Sequence, residues 1–111
     1  MINVIAVITA RPGKRQDILD VLLPALPANM IENGCLEYTV TVDADVVGSM
    51  HSQTKFGPDT FTIVEKWQSL EHLKAHSVDE IVTEYLETIS PFLKSRVVYF
   101  LSGVGGFHIN Y

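Results

Sequence analysis

The sequence predicts an α+β domain in which four antiparallel strands form one sheet and the helices cover one face of it. Three observations lead to this fold class. The chain has 111 residues, enough for one packed core but not for two. Apolar side chains alternate at period two in some segments and recur every three or four residues in others. The order of these segments is strand, helix, strand, strand, helix, strand, which is the split βαβ arrangement (βαββαβ).

The first predicted strand, Ile2 to Thr9, is apolar on both of its faces and ends at Arg11-Pro12-Gly13. One face carries Ile2, Val4, Ala6 and Ile8, and the other carries Ile5 and Val7. A strand that is apolar on both sides belongs to a sheet that is covered on both sides.

The next segment, Lys14 to Glu32, is predicted to be a helix. Its apolar residues recur at spacings of three and four: Ile18, Leu19, Leu22, Leu23, Leu26 and Met30. Pro24 and Pro27 interrupt this pattern, so we expect a kink or a short break between Leu23 and Ala28. Asn33-Gly34 then ends the helix with residue types suited to a left-handed cap.

The second predicted strand runs from Cys35 to Ala44. One of its faces carries Leu36, Tyr38, Val40 and Val42, and polar side chains alternate with them. The following segment, Asp45 to Thr60, is irregular and forms a long hairpin connection, which is either a functional lid or a mobile loop.

The stretch from Phe61 to Ser90 organises the domain. It opens as a strand with Phe61, Ile63, Glu65 and Trp67 on one face. At Ser69 the chain turns into a short helix with Leu70 and Leu73 directed inward. Because Glu65, Trp67 and His76 lie near the junctions of these elements, we expect the functional pocket here.

Ser77 and Glu80 have the spacing of a capping box and predict the start of a longer helix. Its apolar face consists of Val78, Ile81, Val82, Tyr85, Leu86 and Ile89. Pro91 ends this helix. The last predicted strand, Arg96 to Val104, is again apolar on both faces.

The predicted helices are too few to cover both faces of the sheet. We therefore expect a homodimer in which the second face packs against the same face of another copy. Residues 1–104 form the domain, and residues 105–111 form a glycine-rich tail with large apolar side chains. Such a tail frays unless it docks, so we expect it to dock on the partner subunit.

The composition restricts the partners of the protein. Its residues are 47% hydrophobic and 19% charged, which is typical of a globular domain, and the net charge of -5 disfavours nucleic acid. The one cysteine, Cys35, cannot form an internal disulfide, so a reducing compartment is expected. The apolar run after Met1 is too short to span a membrane and lacks a basic leader. We expect a cytoplasmic protein that binds no membrane.

Two motifs in this order resemble a known family. Residues 32–38, E-N-G-C-L-E-Y, resemble an E-P-G-C-x-x-Y turn with Asn33 in place of proline. Glu65-Lys66-Trp67, followed by Leu73 and His76, resembles the E-x-W…H signature of the antibiotic biosynthesis monooxygenase (ABM) domain family. The resemblance covers residues 2 to 101. It implies a ferredoxin-like fold, a dimeric α/β barrel, and a pocket between sheet and helices.

The family includes monooxygenases that act on hydroquinones and polyketide-like aromatics without a cofactor. It also includes haem-degrading enzymes and enzymes that process signal molecules. The haem-degrading branch has an asparagine on the first strand and a tryptophan on the second helical region. This sequence has Ala6 at the first position and His76 at the second, so haem degradation is not expected.

His76 is the candidate catalytic base, because imidazole titrates near neutral pH. The alternative is a boundary histidine that caps a helix end. Trp67 offers an apolar wall to an aromatic substrate, or it is a core residue. Glu65 either pairs with a cation, such as Lys94 or Arg96, or has a raised pKa; a structural role is favoured.

Asn3, His72 and Tyr85 are further candidates for substrate binding. Asn3 and Tyr85 offer polar groups on apolar elements, although exposure at a sheet end and a hydrogen-bonded core tyrosine are the favoured explanations. His72 precedes His76 by one helical turn, but no third ligand is evident, so no metal site is expected.

The leading hypothesis is a cofactor-independent monooxygenase that oxidises a small electron-rich aromatic or hydroquinone with O2. Two alternatives stay open: an isomerase or processing enzyme for a small signal molecule, and a non-catalytic small-molecule-binding dimer.

Overall fold

The computed structural model describes residues 1–26, 33–46, 52–78 and 80–107. The strands are β1 (Ile2–Ala10), β2 (Cys35–Thr41), β3 (Thr60–Trp67) and β4 (Leu93–Ser102). The α-helices are α1 (Arg15–Ala25), α2 (Leu70–Ser77) and α3 (Glu80–Ile89), and a 3-10 turn at Ser90–Phe92 leads into β4. The strands form one sheet in the order β2-β3-β1-β4, and all neighbouring pairs are antiparallel. This confirms the predicted ferredoxin-like α+β fold.

One face of the sheet packs against the helices and forms the core. The β1 residues Val4, Ala6, Ile8 and Ala10 are buried at every second position. Ala6, Ile8 and Ala10 pack with Phe61 and Ile63 of β3, with Ile18 and Leu22 of α1, and with Ile89 of α3. A smaller cluster of Val4, Cys35, Trp67 and Leu73 extends this core beneath α2.

The other face of the sheet is not covered by this chain. Ile5 pairs with Tyr99, Val7 with Val97, and Asn3 with Leu101, so these residues share that face. Ile5, Val97, Tyr99 and Leu101 are exposed although they are apolar or aromatic. The two-sided apolar pattern of the first and last strands thus corresponds to a face that is open in the single chain.

A β-bulge changes the predicted pattern of β2. Cys35 pairs with Trp67 and Glu37 pairs with Lys66, so Leu36 is an extra residue on this strand. Leu36 is half exposed, whereas Cys35 is buried and Tyr38 packs on the core. The prediction that Leu36 and Tyr38 share a face is therefore wrong, because the bulge breaks the period-two alternation between them.

The first helix is shorter than predicted. It ends at Ala25, and Leu26, the residue before Pro27, has an extended backbone as that position favours. The predicted break is confirmed here, while Met30 and residues 27–32 lie outside the described part of the chain. Leu23 is exposed rather than buried, because only Ile18, Leu19 and Leu22 face the core.

Two predictions about the second helical region are wrong. Leu70 and Leu73 were both predicted to face inward, but only Leu73 is buried and Leu70 is 45% exposed. Ser77 does not start a helix: it is the last residue of α2, and its hydroxyl donates to the Lys74 carbonyl. The next helix, α3, begins at Glu80, which leaves Val78 76% exposed in the connection.

His51 and residues 108–111 of the tail lie outside the described residues. Within the described part, no helix has the length and apolar composition needed to cross a bilayer.

Candidate functional site

A cavity of about 80 Å³ lies between the sheet and the helices α2 and α3. Its walls are mainly apolar, with residues such as Val4, Ala6, Ile63, Leu86 and Val98. Its polar lining consists of Tyr38, Glu65, His76, Tyr85 and Arg96, together with Ser77. Because Ser77, Arg96 and Phe100 are exposed, the cavity opens to solvent between the end of α2 and β4.

The last turn of α2 brings His76 to this cavity. Ser69 caps the helix by accepting a hydrogen bond from the His72 backbone N–H, and Leu73 anchors the helix in the core. His76 follows Leu73 by three positions and therefore lies on the same side of the helix. Its ring is half-buried and packs against the Trp67 indole, with centroids 4.6 Å apart and planes tilted by 40°.

Trp67 supports His76 from beneath and does not line the cavity. Its side chain is 1% exposed, and its Nε1 donates a hydrogen bond of 2.8 Å to Oε1 of Glu65. The two residues are two positions apart on β3, so their side chains project from the same face. We expected Trp67 to form a wall for the substrate. In this structure its ring instead supports the His76 imidazole.

Glu65 lines the cavity as a buried carboxyl group that is 7% exposed. Burial raises the pKa of this group, and the Trp67 hydrogen bond and the positive charge of Arg96 act in the opposite direction. Of its two expected cationic partners, neither Arg96 nor Lys94 forms a salt bridge with it. The direct partner of Glu65 is thus an indole N–H.

Tyr38 and Tyr85 form a phenol pair in the cavity wall. Burial is the largest cause of the raised pKa of both hydroxyls. The interaction between the two hydroxyls raises the pKa of Tyr38 further and lowers that of Tyr85. Tyr85 thus lies where we expected it. Tyr38 was not predicted to be a site residue, although the motif of residues 32–38 ends on it.

Asn3 and His72, two of the expected substrate-binding residues, lie away from the cavity. Asn3 is on the uncovered face of the sheet, where it pairs with Lys66 and Leu101. The Nδ1 atom of His72 lies 2.6 Å from Oγ of Ser69, in hydrogen-bond contact with it. Its ring occupies the space beside Gly34. Among the described residues, no three histidine, cysteine or acidic side chains are grouped as a metal site.

The family model for antibiotic biosynthesis monooxygenases matches residues 1–88. A curated relative from Escherichia coli K12, named "Probable quinol monooxygenase YgiN", is 35% identical over 100 residues, covering 88% of this chain and 89% of the relative. A protein of the same name from Shigella flexneri matches equally well.

Solved structures support the fold. PA3566 from Pseudomonas aeruginosa superimposes with a TM-score of 0.74 at 21% identity, covering 94% of both chains. SO0527 from Shewanella oneidensis gives a TM-score of 0.72 at 22% identity, covering 90% of this chain and 87% of its own. The motifs, the fold, the family match and the identity to the curated relatives agree, and this chain belongs to the antibiotic biosynthesis monooxygenase family.

Proposed function

We propose that this protein is a monooxygenase that oxidises a small electron-rich aromatic compound, such as a hydroquinone, with O2 and without a metal or organic cofactor. The observation that carries the proposal is the placement of His76 at the wall of a mainly apolar cavity. The name of its relatives, quinol monooxygenase, supports the same substrate class.

In this reaction the substrate supplies the electrons. His76 accepts the proton of a phenolic hydroxyl, and the resulting phenolate transfers electrons to O2. One oxygen atom forms a bond to a ring carbon, and the other leaves as water. A hydroquinone and O2 thus give a hydroxyquinone and water, which balances atoms and electrons without a further reductant.

The other lining residues prepare the cavity for this chemistry. Apolar walls exclude water from the reactive anion. Tyr38 and Tyr85 are protonated at neutral pH, as phenols ordinarily are, and burial raises the pKa of both further, so the pair can donate a hydrogen bond to a substrate oxygen.

The size of the cavity limits the substrate. Its volume of about 80 Å³ is roughly half of the ~150 Å³ that holds benzene in an engineered protein cavity. A substrate ring therefore extends through the opening at Phe100 and Arg96, or the half-buried Tyr85 and Leu86 move to admit it.

Oxygen uptake with a panel of hydroquinones tests the proposal. His76→Gln keeps much of the side-chain volume but removes the base, and should reduce kcat/KM by roughly 10²–10⁴-fold. The control is His72→Asn, one turn earlier on α2 and outside the cavity, which should retain activity. Equal uptake by the two variants would refute the role of His76.

Two other outcomes would point to the alternative functions. Turnover that persists without oxygen would indicate an isomerase or another processing enzyme. Saturable binding of aromatic compounds without turnover would indicate a non-catalytic binding protein.

We also propose that the uncovered face of the sheet pairs with a second copy, giving a homodimer. The exposed Ile5, Val97, Tyr99 and Leu101 support this pairing. Light scattering should give about twice the chain mass of 12.4 kDa. Tyr99→Glu should shift the protein to monomer, whereas Lys74→Glu on the exposed side of α2 should not.

The free, buried Cys35 supports a reducing compartment such as the cytoplasm.

A further inference from the structure

We infer that Glu65 is a positioning residue that holds the His76 imidazole at the cavity through the indole ring of Trp67. The kinetic consequence of this inference rests on the proposed function, whereas its structural readout does not.

The first step is the attachment of the indole to the carboxyl group. The side chain of Trp67 has a single polar hydrogen, on Nε1. It donates a hydrogen bond to Oε1 of Glu65, with 2.8 Å between the nitrogen and the oxygen. Both side chains are buried, at 1% and 7% exposure. Leaving a buried N–H without its acceptor destabilises the protein, so this hydrogen bond fixes the rotation of the ring.

The second step is the contact between the indole and the imidazole. The centroid distance of 4.6 Å lies at the close end of the favourable range for aromatic pairs. Tyr38 approaches the imidazole in an edge geometry, with centroids 6.4 Å apart and planes at 64°. Because His76 is in the last turn of α2, these ring contacts help to define its side-chain position.

A carboxyl group is a costly way to fill the position of residue 65. A buried carboxylate loses its hydration, and an apolar side chain of similar volume would avoid that cost. The hydrogen bond to Trp67 is the one direct polar contact of Glu65 among the described residues. Glu65 also lines the cavity, so a direct role in proton transfer is the competing explanation that an experiment must separate.

Three substitutions separate the two explanations. Glu65→Gln removes the charge but keeps an oxygen that can accept from Trp67. Glu65→Leu removes the acceptor, and Trp67→Phe keeps an aromatic ring but removes the donor. If one of the last two variants does not fold, the other still breaks the same hydrogen bond.

The structural readout is the NMR shift of the His76 ring protons in the protein without substrate. The indole ring current displaces these signals while the two rings remain in contact. We expect Glu65→Gln to keep this shift and Glu65→Leu to lose most of it; Trp67→Phe lacks the indole and is assessed by oxygen uptake alone. An unchanged shift in Glu65→Leu would overturn the inference.

The kinetic readout is a double-mutant cycle on hydroquinone-dependent oxygen uptake. Misplacing a catalytic group by about 1 Å can cost on the order of a hundredfold, and we expect that loss in kcat/KM for Glu65→Leu. In the His76→Gln background, Glu65→Leu should cause little further loss, because it acts through His76.

Equal losses in Glu65→Gln and Glu65→Leu would instead show that Glu65 handles a proton itself, and the positioning role would fail. If the wild-type protein oxidises no hydroquinone, the proposed function fails, and the NMR result still decides this inference.

Discussion

Replacing Gly34 with alanine tests whether the turn before β2 holds α2, and with it His76, in place. Gly34 has a φ of +87°, a backbone conformation that residues other than glycine rarely adopt. A Cβ atom at this position would lie 2.4 Å from Cγ and Cδ2 of His72 and 2.8 Å from its Cβ. The Gly34 carbonyl also accepts a hydrogen bond of 2.9 Å from the Gln68 N–H, so the turn and the start of α2 are joined.

The expected cost has two parts. The left-handed conformation costs a residue with a Cβ about 1–2 kcal/mol. The contact with His72 must also displace its ring and break the hydrogen bond with Ser69, a loss of about 0.5–1.5 kcal/mol. Gly34→Ala should therefore destabilise the protein by about 1.5–3.5 kcal/mol. Gly13→Ala is the matched control, because its φ is +77° and nothing lies within 4 Å of its Cβ.

Urea denaturation of the two variants measures this difference. Gly13→Ala should cost about 1–2 kcal/mol, the conformational part alone. In a His72→Ala background, Gly34→Ala should cost less than in the wild type, because the ring is gone and only the contact with the Cβ atom of residue 72 remains. Oxygen uptake should fall in Gly34→Ala but not in Gly13→Ala. Equal destabilisation by the two single variants would refute the argument.

Three further predictions concern the core, the buried carboxyl group and the tail. Trp67→Ala should cost roughly 3–5 kcal/mol in urea denaturation, since the side chain is buried; a change within about 0.5 kcal/mol would contradict this. Burial raises the pKa of Glu65 in the native state. The contribution of Glu65 to the free energy of unfolding should therefore be complete below the unfolded pKa near 4.5, and it should disappear as the pH rises through the raised native pKa. The free energy of unfolding of the wild type relative to Glu65→Gln should therefore fall as the pH rises from about 4.5 through the raised native pKa. A difference independent of pH would count against the raised pKa. Deleting residues 104–111 should weaken dimerisation without unfolding the domain, because Val104 and Phe107 are exposed on the single chain. Sedimentation measures the dimer dissociation constant. The same constant for the full-length and the truncated protein would rule out a docked tail.

Much of the fold could be predicted from the order and period of apolar residues. The alternation along β1 and along β3 placed Val4, Ala6, Ile8, Phe61 and Ile63 correctly in the core. The same reasoning placed Glu65 and His76 at one pocket, because both lie near the junctions of β3 with the helices. These features are local: the side-chain period of a strand or a helix follows from its backbone geometry.

The remaining features of the site depend on tertiary structure. Period two assigns Trp67 to the covered face of the sheet, but only the position of α2 shows that it lies beneath His76 and not in the cavity wall. The bulge at Leu36 leaves that residue exposed and buries Cys35, whereas Tyr38 stays on the covered face; no spacing in the sequence marks the extra residue. The sequence by itself therefore determined the order of the elements and the faces of most strands. The tertiary structure decided which side chains meet, because contacts between distant segments depend on the strand register and the docking of helices on the sheet.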